Sequence, residues 1–290
     1  MAAYALHLAI LAGIYIILTV SINLIVGYAG QVSLGHAAFY GIGAYASALV
    51  TQYWHLPWPA AALSALLAAG LCGLALGLPT LRLKEDYLAI VTLGFGVIVD
   101  LVFLNLDITG GPDGLPGIPT PSFLGLSFRE PWHYLILVAV MVMLVLGATY
   151  RLVDSYHGRA LRAIRDHEIT AQVMGINTPA YKIMIFTLAA SLAGLAGSLY
   201  AHYITFINPE TFGLHTSILI LTMVVLGGMG SMVGSVLGAV ILTILPEMLR
   251  QTHGYQDLVY GVLLMVLLIW RPEGLLGRGK LSLKFLQREG

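Results

Sequence analysis

Apolar residues run in long blocks through most of this chain, and polar residues collect between the blocks. A helix needs about 20 predominantly apolar residues to cross the hydrocarbon core of a bilayer. Blocks that approach this need lie at 5–26, 35–53, 59–80, 87–105, 133–150, 183–206, 216–229, 232–249 and 255–271. The pair 216–229 and 232–249 is short and meets at a glycine cluster, which predicts a tight hairpin or a re-entrant pair. The pattern predicts an all-α, polytopic transmembrane helical bundle of about 8–10 helices, with nine as the central value.

Composition agrees with that class. Hydrophobic residues make up 58% of the 290 positions and charged residues 10%, and mean hydropathy is +0.88. A soluble domain carries roughly 25% charged residues, so this chain lacks the charge to cover a soluble surface. The 33 glycines suit helices that approach closely in lipid. The single cysteine, Cys72, excludes an intramolecular disulfide and reads as a buried, inert thiol. Met1–Ala3 offers no basic stretch before the first apolar block, so no cleavable signal is expected.

Lysines and arginines orient the spans, because short cytoplasmic loops carry an excess of them. Arg82 and Lys84 share one loop, and Arg151, Arg159, Arg162, Arg165 and Lys182 another. Arg271, Arg278, Lys280, Lys284 and Arg288 follow the last block, and all of these fall on one side of the predicted bundle. Only Arg129 and Arg250 are left for the other side. The basic side is expected to be cytoplasmic, with the C-terminus there. A single transmembrane domain over 1–290 results, with an extracytoplasmic loop at 106–132, a cytoplasmic segment at 151–182 and a cytoplasmic tail at 272–290.

The cytoplasmic segment reads as a helix outside the lipid. No proline interrupts residues 158–174, where Arg159, Arg162, Arg165 and Asp166 recur at helical spacing beside Ala160, Ala163, Ile164, Ala171 and Met174. Gly175 ends it and Asn177-Thr178-Pro179 turns the chain back. A short charged helix between two spans suits docking into a cleft on a cytoplasmic partner; a solvated loop helix held by topology alone is the plainer reading.

Two glycine-rich stretches look alike. Gly27-Tyr28-Ala29-Gly30 is followed by Gly35, Ala38, Gly41 and Ala44; Gly227-Gly228-Met229-Gly230 is followed by Gly234, Gly238 and Ala239. Duplicated halves with glycine-interrupted segments occur in transporters, whereas plain small-residue packing explains most such glycines. Polar side chains at membrane depth are costly and mark candidate path residues: Asn23, Gln31, Ser33 and His36 at the first break, then Asp100 and Asn105 in the fourth block. His36 also fits an ordinary packing role. Thr92, Thr187, Ser191, Ser198 and Thr222 are weaker candidates, since a hydroxyl can bond its own helix.

Several chemistries have no footing here. The chain has no G-x-x-x-x-G-K-[ST] phosphate loop, no H-E-x-x-H, no cysteine–histidine cluster of metal spacing and no G-x-S-x-G elbow. Neither an enzyme nor a metal or other cofactor site on this chain is expected, and nucleic acid is not an expected partner. A self-sufficient secondary transporter or channel stays open as a second class, though Asp100 and His36 supply few coupling groups for one.

The run Ser21-Ile22-Asn23-Leu24-Ile25-Val26-Gly27-Tyr28-Ala29-Gly30-Gln31-Val32-Ser33-Leu34-Gly35-His36-Ala37-Ala38-Phe39-Tyr40-Gly41-Ile42-Gly43-Ala44-Tyr45 resembles the N-terminal signature of branched-chain amino-acid ABC permeases. Ile90 to Gly96, Ile108 to Gly114, Gly158 to Asn177, Leu226 to Ser231 and Arg271 to Gly277 resemble the same family in the same order. The proline-rich continuation of Gly110-Gly111-Pro112-Asp113-Gly114 is similar to the longer, M-type permease. Where the family pattern carries Glu and then Arg three positions later, this chain has Val97 and Asp100. Related systems carry urea and short amides.

The resemblance implies one permease of a bacterial or archaeal inner-membrane importer, paired with a second homologous permease. Two cytoplasmic ATPase subunits would hold ATP and Mg, and an extracytoplasmic binding protein would deliver the solute. Residues 158–176 would be the coupling helix, with Gly158, Arg159, Arg162, Arg165, Asp166, Glu168, Ala171 and Gly175 as its ATPase-facing candidates. In the importer loop motif Glu-Ala-Ala precedes a glycine by three residues; Ala171 and Gly175 fit, and Glu168 stands one place early.

Overall fold

A computed structural model describes residues 2–80, 85–123, 126–128, 130–248, 261–262, 265 and 274–276. All of the expected span at 255–271 except 261–262 and 265, and the basic residues Arg82, Lys84, Arg129, Arg250, Arg271, Arg278, Lys280, Lys284 and Arg288, lie outside the described residues. Membrane-depth helices are α1 (Ala2–Asn23), continued by a π-helical turn Leu24–Tyr28, then α2 (His36–Tyr53), α3 (Trp58–Thr80), α4 (Glu85–Asn105) and α5 (Pro131–Asp154). Two short helices, α6 (Tyr156–Asp166) and α7 (Glu168–Val173), lead into α8 (Thr178–Ile204), α9 (Leu214–Gly227) and α10 (Met232–Met248). Among the described residues, six apolar stretches are long enough to cross a membrane: Tyr4–Tyr28, Trp58–Pro79, Tyr87–Asn105, Pro131–Asp154, Thr178–Ile204 and Pro209–Gly227. The chain is a polytopic helical membrane protein, as its blocks predict.

α2 is the exception that explains the core. It is too polar for that criterion, yet His36, Tyr40, Tyr45, Ser47 and Thr51 on it are buried. A helix covered by protein on most faces needs small residues more than apolar ones. A methyl group on Gly43 would strike Gly194 of α8, and one on Gly197 would strike the Tyr40 carbonyl. Ala61, Ala65 and Ala69 bring α3 against the same helix at four-residue spacing, with Gly194 fitted against Ala65 and Ala69. α2, α3 and α8 thus form a close-packed core. α4 and α5 are peripheral, with 22% of each span buried against 72% for the first span.

Polar pairs fix the two ends of the bundle. At one end His7 Nδ1 lies 2.7 Å from Tyr203 Oη, tying the start of α1 to the end of α8. At that same end Ser47 Oγ lies 2.7 Å from Ser198 Oγ and 2.8 Å from His202 Nε2, and His202 Nδ1 reaches the Pro119 carbonyl at 2.8 Å. The long loop after α4 is therefore seated on α2 and α8. Its backbone follows the glycines: Gly110, Gly111, Gly114 and Gly117 all have positive φ, which only glycine adopts at no steric cost. A two-residue strand β1 (Leu115–Pro116) then pairs antiparallel with β4 (Phe206–Ile207), while β2 (Ser122–Phe123) pairs with β3 (Leu126–Ser127).

Two expectations need correction. The single helix at 158–174 is two helices, broken at His167, whose φ −155 and ψ 96 are extended rather than helical. Lys182 is not a loop residue. α8 begins at Thr178, with Pro179 pre-set for the first turn and Asn177 Oδ1 accepting from Ala180 N at 3.3 Å, so Lys182 sits one turn inside the helix.

Substituting Gly194→Val forces α8 off α2 and α3 and should lower resistance to detergent unfolding by about 1–3 kcal/mol. Gly147→Val on exposed α5, where nothing stands within 4 Å of the new Cβ, should leave the midpoint close to the parent's. Equal midpoints for the two variants in an SDS titration would contradict the close-packed core.

Candidate functional site: a junction of two helix breaks

The two glycine stretches, far apart in sequence, meet in space. α1 ends in the π turn and the chain runs irregularly through 29–35 before α2 starts; α9 ends at Gly227 and turns through 228–231 into α10. Each break frees backbone groups that hydrocarbon cannot satisfy. Asn23 resolves both ends of one problem. Its Oδ1 accepts from Gly230 N at 2.8 Å and its Nδ2 donates to the Ser231 carbonyl at 3.2 Å. A Cβ on Gly27 would strike both Asn23 and Gly230 N, so glycine is required for this approach.

Arg165 closes the junction from outside the bundle. Its Nη1 donates to the Gly27 carbonyl, at the C-terminal turn of the first span. A cation there meets the negative end of the helix dipole and a carbonyl that has no helical partner. A methyl on Gly30 would stand 3.0 Å from Arg165 Cγ, and one on Gly230 would stand 2.8 Å from Arg165 Nη1. The end of α9 is served separately: Leu275 N donates to the Leu226 carbonyl at 2.8 Å and Leu276 N to the Gly227 carbonyl at 3.0 Å. Gly228, at φ 113, makes the turn that this docking needs.

The rest of the first break packs against three helices. Leu34 N donates to Thr92 Oγ1 at 3.0 Å, and Gly35 lies against the Thr92 carbonyl. Ala37 N, free at the start of α2, donates to Ser217 Oγ of α9 at 3.0 Å. His36 Nε2 lies 2.7 Å from Ser21 Oγ, which itself donates to the Leu18 carbonyl at 2.7 Å. His36 Nδ1, Gln31 Oε1 and Ser33 Oγ are buried with no hydrogen-bond partner among the described residues.

Asp100 and Asn105 stand apart from this junction. Asn105 Nδ2 returns to its own helix, donating to the Leu101 carbonyl at 2.7 Å. Asp100 faces a segment that the hydropathy pattern does not single out, a 3-10 turn at Pro209–Phe212, whose Glu210 carboxylate acts on it through space. Phe212 from this turn enters the aromatic cluster of Tyr40, Tyr45 and Phe103, on the space left by Gly41. Asn208-Pro209-Glu210, polar residues between two apolar blocks, is the one sequence signal that could mark it.

On the segment between α5 and α8, the candidate side chains divide. Gly158 and Ala171 are buried, and a methyl at Gly158 would strike the Val153 carbonyl. Arg162 Nη1 donates to the Val153 carbonyl at 3.0 Å, so it is turned back on its own chain as Arg165 is. Glu168 pairs with Lys182 at 2.6 Å and Gln172 Nε2 donates to Thr178 Oγ1 at 2.8 Å, pinning α7 to the start of α8. Arg159 and Asp166 are exposed, and Gly175, at φ 87, stops α7. Two apolar side chains missed in sequence, Ile169 and Val173, are 79% and 81% exposed, and Met174, expected on the apolar side of the segment, is 78% exposed.

A bundle of this kind, with paired helix breaks at membrane depth and a short helical arm beyond it, defines a membrane transport permease. The chain belongs to the family "Branched-chain amino acid transport system / permease component", which it matches over residues 4–269. It is 40% identical over 313 residues to the high-affinity branched-chain amino acid transport system permease protein LivM of Salmonella typhimurium, covering 99% of this chain and 73% of that one. The Escherichia coli LivM is also 40% identical, over 302 residues, with 96% and 71% covered. The permease LivH of Salmonella typhimurium is 26% identical over 289 residues, with 92% of each chain covered. No solved structure matches the chain. It is a permease subunit of an ABC transport system, not an enzyme.

Asn23→Leu leaves Gly230 N unpaired in a buried site and should cost about 1–3 kcal/mol; the Ser231 carbonyl keeps the Ser235 N–H and hydroxyl. Asn23→Asp keeps the acceptor and should cost less. An Asn23→Leu protein as resistant to SDS as the parent would contradict the junction.

Proposed function

We propose that the chain forms one half of an inward pathway for branched-chain amino acids, opened and closed by ATP hydrolysis on separate subunits. Family membership and the LivM and LivH relatives support the solute class, and the pairing with a second, homologous permease follows from the same likeness. The end of the bundle that holds α6, α7 and residues 274–276 is then the cytoplasmic end. The loop seated on α2 and α8 is the extracytoplasmic face, where a solute-binding protein delivers its cargo.

One observation carries the mechanism. Apolar side chains exposed beyond the bundle, on a short helix pinned at its base, are an interaction surface rather than a solvated face. Ile169, Val173 and Met174 meet that description on α7, with the Glu168–Lys182 pair below them as the rigid base. The arm is the docking point for an ATPase, which itself holds ATP and Mg. Nucleotide-driven closure of the two ATPases moves the arm, and the permeases rock between outward- and inward-open states.

Ile169→Glu combined with Val173→Glu should reduce co-purification of the ATPase subunits about 30-fold, the factor expected for a loss of about 2 kcal/mol at a hot spot. Reconstituted with its partners, the parent should take up leucine only with ATP, and excess urea should not compete. Leucine uptake by the lone chain down an ion gradient would contradict the proposal, and so would unchanged ATPase recovery with the double variant.

A further inference from the structure

Arg165 is placed unlike the other arginines of the arm. Arg159 is exposed and Arg162 turns back to the Val153 carbonyl at the end of α5, while the Arg165 guanidinium leaves α6 and enters the junction. There it donates to the Gly27 carbonyl and lies against Gly30 and Gly230. One side chain therefore touches both helix breaks and the arm. The remaining ties across the junction run through Asn23, which bonds the second break directly. α6 runs into α7 through His167 and packs against it, and α7 is fastened to α8 by Glu168 and Lys182. Arg165 gives a push on α7 a short polar route to the first break and to Gly230 of the second.

We propose that Arg165 is the positioning residue that converts movement of α6 into opening at the paired breaks. It rests on the ATPase-docking reading above and adds the element through which docking is felt. The physical basis is the bistability of the contact. The planar guanidinium forms a directed bond to a carbonyl at a helix end, and it holds or releases that bond as α6 shifts. With the bond in place, 27–30 and 230 stay together. With α6 displaced, the Gly27 carbonyl loses its partner, and the small residues on either side leave room for the helices to part. The buried polar atoms His36 Nδ1, Gln31 Oε1 and Ser33 Oγ, unpartnered among the described residues, lie on the segment this opening would expose.

The test uses the complete importer with its ATPases, its second permease and its binding protein. Arg165→Met keeps the length of the side chain and removes its donors. ATPase subunits should still co-purify, since Ile169 and Val173 are intact, while ATP-driven leucine uptake should fall about tenfold, the factor that a charge-assisted hydrogen bond is worth. Arg165→Lys, which restores the charge, should recover part of the uptake. A second readout separates coupling from structure. In a Cys72→Ala background, maleimide labelling of Val32→Cys should change rate when nucleotide is trapped in the parent, and should no longer respond in Arg165→Met. If Arg165→Met does not assemble, Arg165→Gln takes its place with the same expectation. Parent-like uptake, or a labelling rate that still follows nucleotide, overturns the proposal. A parent chain that recruits no ATPase overturns the docking reading and the latch together.

Discussion

Hydrocarbon offers no hydrogen bonds, so every backbone group released by a broken transmembrane helix must be met from within the protein. This requirement organises the molecule. Two helices end at membrane depth, and the groups they free are met by side chains and backbone from distant parts of the chain: Asn23 at Gly230 and Ser231, Arg165 at Gly27, and Leu275 and Leu276 at the end of α9. The glycines at these points serve the same end. Positive φ at Gly30, Gly228 and Gly230 lets the backbone turn, and the missing side chain at Gly27 lets the second break approach.

The rest of the bundle supplies the stiffness that such a junction needs. α2, α3 and α8 pack through alanine and glycine, with almost no side chain between their backbones. Dispersion between well-fitted surfaces stands in for the hydrophobic effect, which does not drive helices together in lipid. The hydroxyl–imidazole chain Ser198–Ser47–His202–Pro119 fixes the loop after α4 to that core. A rigid core beside a junction held by a few directed bonds is the arrangement in which a small push produces a discrete change rather than a gradual bend.

Much of this is legible in the amino-acid order. Long apolar blocks specify the helices because their lengths must match the bilayer. The two glycine runs announce breaks, and Asn23 and Gln31 announce polar business at them. Their meeting is not legible, since no local pattern states that residue 27 lies beside residue 230. The same holds for Arg165. Its helical spacing with Arg159 and Arg162 reads as a solvated charged stripe, and only the tertiary fold shows that it turns inward. The break in the arm is not legible either: helix-forming residues surround His167, and the Glu168–Lys182 pair that holds α7 on its own axis joins residues fourteen apart. Exposed Ile169 and Val173 belong to no periodic apolar face, so hydropathy passes over them.

The most direct test of the junction is amide hydrogen exchange at Gly230 and at residues 275–276, in the complete importer held in lipid nanodiscs. Satisfied and buried amides exchange only when the structure opens. Gly230, Leu275 and Leu276 should exchange far more slowly than the exposed turn residues His55 and Leu56, and trapping nucleotide should speed Gly230 selectively. Exchange of Gly230 as fast as that turn, with or without nucleotide, would contradict a junction in which the two breaks hold each other closed.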